Sequence, residues 1–430
     1  MARDVIRIGI LGFGNVGAGA YQVLEENAEA IALKVGSRLE VARVADIDWQ
    51  RPRPVEVPAD KRATDAQAVI ADPAIDIIVE TIGGTDPALD FVLCALRAGK
   101  CVVTSNKELI AKHGREILEE ADQRGLDVYF EGAVGGGIPI IQPLKQALAA
   151  NRIQSVVGIV NGTTNYILTR MADGSHDFAH SLAEAQRLGY AEPDPTDDIE
   201  GHDAAYKLAI LAAIAFNSRA PLEHIYREGI SRIAPADMLY ARELGYVVKL
   251  LAIGHDRGDS VELRVHPTFL PQTHPLAAVT DVFNAVFVEG SAVGRLMFYG
   301  RGAGSRPTGS AVAGDIIEVA RNINSGAAGR IPCTCFEARP VKPMDEVVTK
   351  HYLRMEVADR PGVLAKIAAV FGEEGVSLAS VVQKAATGEG AEIVWVTHES
   401  VERAVRRSLE RIRALPEVAE VCNWVRVEEG

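Results

Sequence analysis

Six carboxylates fall within twelve residues in the run Glu192-Pro193-Asp194-Pro195-Thr196-Asp197-Asp198-Ile199-Glu200-Gly201-His202-Asp203, and Lys207 follows four positions after the last of them. On a helix that spacing puts Asp203 and Lys207 on one face, which continues as the apolar Ile210, Leu211 and Ile214. A lysine heading an apolar stripe is partly desolvated. Desolvation lowers its pKa toward the range useful for proton transfer, while a neighbouring aspartate raises it. Lys207 is therefore a candidate proton donor to a developing alkoxide. The competing reading is a surface ion pair worth about 0.3–0.5 kcal/mol. Among the carboxylates, Glu192 and Asp203 are the candidates to hold a substrate ammonium group.

A proton donor of this kind needs an electron donor beside it. Gly12-Phe13-Gly14-Asn15-Val16-Gly17 is a G-x-G-x-x-G run between a strand-like and a helix-like segment. Its glycines let the backbone approach a dinucleotide pyrophosphate, whose charge the helix N-terminus meets. Asp46 ends the next strand-like segment, where a carboxylate bonds a ribose 2′-hydroxyl, as in NAD. Arg51 and Arg53 lie just beyond, where they either meet the 2′-phosphate of NADP or lie on a solvated loop. Lys107, in Thr104-Ser105-Asn106-Lys107, follows the end of another strand, the edge at which open α/β sheets bind ligands. Hydride from a nicotinamide and a proton from a lysine together reduce an aldehyde.

These residues need a scaffold. Strand-like segments at 5–11, 40–45, 75–80, 101–104 and 127–131 alternate with helical segments at 16–27, 87–98 and 107–124. That pattern predicts a Rossmann-type parallel sheet over residues 1–135. Gly135-Gly136-Gly137-Ile138-Pro139 breaks it. A second, α+β domain with its own sheet is expected over 136–304, and a helix near 305–325 is expected to return to the first domain. Residues 325–350 read as a linker. Residues 351–430 carry the order βαββαβ of a ferredoxin-like fold, with a turn at 388–390.

The 430-residue chain is long enough for two or three domains. Its net charge of −13 argues against nucleic acid and anionic membrane as partners. The longest apolar run, residues 208–216, falls far short of the roughly 20 residues a membrane span needs. The N-terminus has no signal-peptide pattern, so a cytoplasmic location is expected. Cys94, Cys101, Cys333, Cys335 and Cys422 lack the spacing of a disulfide framework or zinc site and read as reduced thiols.

Taken in order, 12–17, 105–107, 131–139, Asn161-Gly162-Thr163-Thr164-Asn165-Tyr166, 189–195, 197–207 and 302–304 resemble the homoserine dehydrogenase family over nearly the whole chain. The resemblance implies reversible NAD- or NADP-dependent reduction of L-aspartate 4-semialdehyde to L-homoserine, on the way to threonine and methionine. It makes 136–304 the catalytic and dimerisation domain, Lys207 the proton donor and Lys107 a second essential lysine near substrate and nicotinamide. Glu192 and Asp203 become substrate carboxylates, and Gly189, Glu192 and Gly304 line the cofactor and substrate cleft. It also implies a monovalent cation, usually sodium, at Glu131, Val134, Gly136 and Ile138; a plain hinge is the alternative reading of that stretch. The tail resembles an ACT domain, whose Asp359-Arg360-Pro361-Gly362 loop would hold L-threonine as feedback inhibitor or else belong to a dimerisation module without ligand. A homodimer or homotetramer is expected, and removal of residues 345–430 is expected to leave catalysis but erase threonine sensitivity. A 2-hydroxy-acid dehydrogenase would need a histidine base at a strand end, and aspartate-semialdehyde dehydrogenase a nucleophilic cysteine; neither is placed for the role. A cofactor-binding sensor without chemistry is the non-enzyme alternative.

Overall fold

The computed structural model describes residues 3–335, 337–384 and 390–429. The chain divides into two compact units. The first comprises residues 1–156, 206–222 and 283–339, the second 157–205, 223–282 and 340–430.

The first unit is built on six parallel strands: β1 (Val5–Leu11), β2 (Arg38–Ala45), β3 (Arg62–Ala63), β4 (Ile77–Glu80), β5 (Cys101–Thr104) and β6 (Val128–Tyr129). They lie in the order β3-β2-β1-β4-β5-β6, the doubly wound dinucleotide-binding arrangement. The near-continuous apolar runs of β1 and β4 are buried, as strands with helices on both faces must be. Ile6, Ile8, Ile10, Val79 and Val103 meet Val312, Ile316 and Val319 of the helix Ser305–Ser325 in one core. This late helix crosses the first one, Asn15–Glu26, at a glycine pair. A Cβ on Gly19 would come within 2.0 Å of the Ser305 carbonyl, and one on Gly309 within 2.4 Å of Gly19. Only residues without a side chain permit so close a crossing.

The hairpin Phe283–Gly290/Gly294–Arg301 also belongs to the first unit. Its second strand carries only the four-residue apolar run Leu296-Met297-Phe298-Tyr299, too short for periodicity to separate strand from helix.

In the second unit, Tyr246–Asp256 and Val261–Pro271 form a long antiparallel pair. The C-terminal segment runs strand Val348–Ala358, helix Val363–Glu373, strands Leu378–Lys384 and Gly390–Thr397, helix Glu402–Arg413, strand Val418–Val427. This is the expected βαββαβ order, and its main strands pair antiparallel around Leu353, Phe371, Trp395 and Leu409. Gly388 and Glu389 of the expected turn lie outside the described residues, and Gly390 opens a strand.

The tail is not a separate bead. Its last strand pairs in parallel with Val261–Pro271 through Thr268–Arg426 and Phe269–Val427. Nearby, fully buried Asp237 accepts from the Tyr352 hydroxyl at 3.0 Å, Arg354 Nε at 2.7 Å and Asn423 Nδ2 at 2.6 Å. No described helix is long and apolar enough to cross a membrane.

Candidate active site

The glycine run follows β1 directly. Gly12 sits at φ +87, a left-handed conformation that glycine adopts without strain. A Cβ on Gly17 would lie 2.3 Å from the Gly12 carbonyl, which also accepts the Thr81 hydroxyl at 2.7 Å. Above Gly14 an added Cβ meets nothing, and no side chain caps the helix that starts at Asn15. Open space over uncapped N–H groups is what a pyrophosphate requires, so these residues fit a dinucleotide.

Asp46 closes this loop from the end of β2. One carboxylate oxygen accepts the Phe13 N–H at 2.7 Å, the other the Asp48 N–H at 2.8 Å. Arg53 Nη2 stands 3.1 Å from Asp46 Oδ1, its Nε donates to the Phe13 carbonyl at 3.0 Å, and its guanidinium lies 4.9 Å from the centre of the Trp49 ring. Burial pushes the Asp46 carboxyl up, but the Asp48 and Phe13 N–H groups and Arg53 outweigh it and hold the group below the usual range. Arg53 is thus an integral part of the loop, with a side chain 8% exposed, whereas Arg51 is exposed.

Lys107 opens the helix Lys107–Arg124 at the carboxyl edge of β5. Asn106 caps that helix through Leu109 N–H at 3.0 Å and ties it to the Gly84 carbonyl at 2.6 Å. Buried Glu80 accepts the Thr104 hydroxyl at 2.6 Å and the Ile82 N–H at 2.7 Å, which stiffens the same edge. Lys207 lies on the helix His202–Ala215 and is only 8% exposed. Tyr206, beside it, lies under Lys112 at 5.5 Å, so the two lysine-bearing helices are neighbours.

Within the second unit, Asp203 is buried at 4% exposure. Asn161 holds it: Nδ2 donates to Asp203 Oδ2 at 2.9 Å and to Asp198 Oδ1 at 2.6 Å, while Oδ1 caps the helix Gly162–Met171 at Thr164. Asn161 belongs to the Asn-Gly-Thr-Thr-Asn-Tyr motif, but in sequence an N-cap asparagine is ordinary, and only the fold brings it to the acidic cluster. Glu192 is exposed, and among the described residues no partner binds its carboxylate. Gly189, at φ +76 and exposed, ends the turn before it. Gly304, at φ +123 and exposed, caps the helix Ser305–Ser325 in the first unit.

At the glycine-rich break, the Glu131 side chain is committed. It accepts the N–H groups of Ile140, Ile141 (2.8 Å) and Gln142 (2.7 Å), and its own N–H donates to buried Asp315 at 2.7 Å. Burial nevertheless pushes the Glu131 carboxyl up. Val134, Gly136 and Ile138 are buried, and among the described residues no donor reaches their carbonyl oxygens. Gly136 sits at φ +53, with the Gly302 carbonyl 2.5 Å from where its Cβ would be. Backbone carbonyls without a donor are the kind of oxygen ligand a hard cation takes. The Glu131 carbonyl, by contrast, accepts the Val134 N–H at 3.4 Å.

In the tail, Asp359, Arg360, Pro361 and Gly362 are exposed and border an open pocket of about 380 Å³, which Val357, Gln383 and Ile393 also line. Gly362, at φ +91, opens the helix Val363–Glu373, and Asp359 Oδ1 accepts Gln383 Nε2 at 3.3 Å.

Known proteins align with this arrangement throughout. Residues 12–131 match the family described as "Homoserine dehydrogenase, NAD binding domain", 139–317 "Homoserine dehydrogenase", and 351–417 "ACT domain". A homoserine dehydrogenase of Corynebacterium glutamicum is 46% identical, over 99% of this chain and 96% of its own. One from Synechocystis is 45% identical over 98% and 99%. The crystal structure of a homoserine dehydrogenase from Thiobacillus denitrificans superposes with a TM-score of 0.93 at 43% identity, covering 99% of this chain and 98% of that one.

Proposed function

Since the chain belongs to the homoserine dehydrogenase family, we propose that Lys207 is the proton donor of its reaction and that Glu192 and Asp203 hold the substrate ammonium group. The activity itself is the NAD(P)-dependent interconversion of L-aspartate 4-semialdehyde and L-homoserine. A bound nicotinamide supplies the hydride. Lys207 delivers a proton to the carbonyl oxygen as charge develops there and takes it back in the oxidative direction. Lys107 adds positive charge near the reacting oxygen from the carboxyl edge of β5. Gly12, Phe13, Gly14, Asn15, Val16 and Gly17 carry the pyrophosphate, Asp46 sits at the adenosine ribose, and Gly189 and Gly304 border the cleft. The observation that carries this reading is the helix His202–Ala215, which buries an aspartate and a lysine one turn apart.

Residues 1–135 serve as the cofactor domain, with the return helix Ser305–Ser325; 136–304 serve as the catalytic and dimerisation domain, and 351–430 as the regulatory domain. The carbonyls of Val134, Gly136 and Ile138, with that of Glu131, hold a monovalent cation, sodium by preference, which braces the turn between the first two. The tail loop Asp359–Gly362 takes L-threonine, in an open pocket of about 380 Å³ with room for an amino acid. The protein works in the cytoplasm as a homodimer or homotetramer.

The test is homoserine oxidation by the purified full-length chain with NAD⁺ and with NADP⁺, with and without threonine. Lys207→Ala should lower kcat by about 10²–10⁴ while NAD(P)H binding, read by fluorescence, stays within about twofold. A variant retaining more than about a tenth of wild-type kcat would remove Lys207 from the role.

A further inference from the structure

The first unit holds a second cavity, of about 280 Å³, between the helices Lys107–Arg124 and His202–Ala215 and the segment after the return helix. No carboxylate lines it. Its charged groups are Lys112, Arg115, Lys145 and Arg219, and its sulfurs are Cys333 and Cys335. Arg219 Nη2 donates to Cys333 Sγ at 3.0 Å, and Cys335 Sγ reaches the Ala213 carbonyl at 3.5 Å. Both cysteines are half-buried. The neighbouring Cys335 first, and Arg219 after it, hold Cys333 well below the ordinary thiol range, while the Cys333 sulfur and burial push Cys335 up against the opposing pull of Arg219. Lys145 stands 5.4 Å over the Phe130 ring and has no hydrogen-bond acceptor among the described residues. Cys101, by contrast, is buried and pushed up to about 11.

We infer that Cys333 and Cys335 form a peroxide-oxidisable thiol pair, with Cys333 the attacking sulfur and Cys335 the resolving one. A thiolate beside a guanidinium is the reactive form of cysteine, and with one residue between them the two cysteines are held close along the chain, where a disulfide needs its partners. The Cys333 thiolate attacks one oxygen of a hydroperoxide. The O–O bond breaks, the sulfur becomes a sulfenic acid, and the alkoxide leaves as alcohol with a proton from solvent. Lys145 and Arg219 supply positive charge where that alkoxide forms. The Cys335 thiol then attacks the sulfenic sulfur, the S–O bond breaks, and the hydroxyl departs as water with the Cys335 proton. Two thiols have lost two electrons, and the hydroperoxide has been reduced to alcohol and water. Oxidation also removes the Cys335 S–H from the helix that carries Lys207.

The reduced full-length protein is exposed to a limiting amount of tert-butyl hydroperoxide, digested with trypsin without reductant, and mapped by mass. Peptide 331–350, which contains both sulfurs because Arg339 and Lys342 precede proline and resist trypsin, should become lighter by two hydrogens at least about tenfold faster than Cys94, Cys101 or Cys422 changes. Cys335→Ser should stop at a sulfenic acid on Cys333, trapped by dimedone. Cys333→Ser should leave residue 335 reduced, and Arg219→Gln should slow the reaction about tenfold. Each variant is accepted as folded if its homoserine oxidation under reducing conditions equals wild type, and the wild-type rate comparison stands without variants. Equal rates at Cys333 and Cys101, or oxidation of Cys335 in Cys333→Ser, would overturn the inference.

Discussion

Asn161 is the residue whose importance is least visible in isolation. One side chain caps a helix through its oxygen and binds two carboxylates through its nitrogen. Without it, Asp198 and Asp203 lose their shared donor and repel each other. Asn161→Ala should raise the KM for homoserine about tenfold, equivalent to about 1.4 kcal/mol, and leave the cofactor KM unchanged. Steady-state kinetics with each substrate varied in turn decides this. An equal rise in both constants would point to general misfolding instead of a lost orienting contact.

At the level of elements, the crossing of the helices Asn15–Glu26 and Ser305–Ser325 joins residues almost three hundred positions apart. Gly19→Ala places a methyl group on the Ser305 carbonyl. The helices must separate, and the variant should lose about 1–3 kcal/mol by thermal unfolding. Gly314 lies on the same return helix, and there a Cβ meets nothing. Gly314→Ala should be neutral or gain up to about 1 kcal/mol through helix propensity. If the two substitutions behave alike, the close approach is not what their packing depends on.

For the whole molecule, the attachment of the tail changes what its removal would do. Cutting away residues 345–430 takes three of the donors from fully buried Asp237 and uncovers the edge of Val261–Pro271. Three charge-assisted or neutral hydrogen bonds and the pairing of a sheet edge are lost together, and the edge is left as a template for association. The truncated chain should therefore melt earlier or aggregate, so it cannot report cleanly on regulation. Asp359→Ala in the full chain should keep the melting temperature within a few degrees and weaken threonine inhibition at least about tenfold; unchanged inhibition would move the effector elsewhere. The same region sets acid stability. Burial pushes Glu262 and Glu428 up, but Arg257 and Arg264 around the first, and His255 and Arg264 around the second, pull both down to about 2. An unfolded glutamate titrates near 4.5. Because the folded values are depressed, their stabilisation is complete above about 4.5 and is lost as pH falls toward 2, on the order of 3 kcal/mol for each. Fully buried His266, held neutral first by burial, adds to the loss in acid. The urea midpoint should fall steeply between pH 5 and pH 3, and Arg264→Met should flatten that slope; a midpoint indifferent to pH would contradict the assignment.

Local and periodic features were sufficient for the strand-helix alternation, the glycine turn, the i, i+4 pair Asp203 and Lys207, and the βαββαβ order of the tail. Each depends on residues near one another in the chain, where spacing dictates which face a side chain takes. Tertiary structure alone decided that Asn161 meets Asp203, that Arg53 locks Asp46 to the loop, that Glu131 caps a turn with its side chain, and that Cys333 lies against Arg219. It alone joined the tail to the strand at 261–271. These are encounters between distant segments, and no periodicity records them, because they follow from which buried faces pack together once the chain has closed on itself.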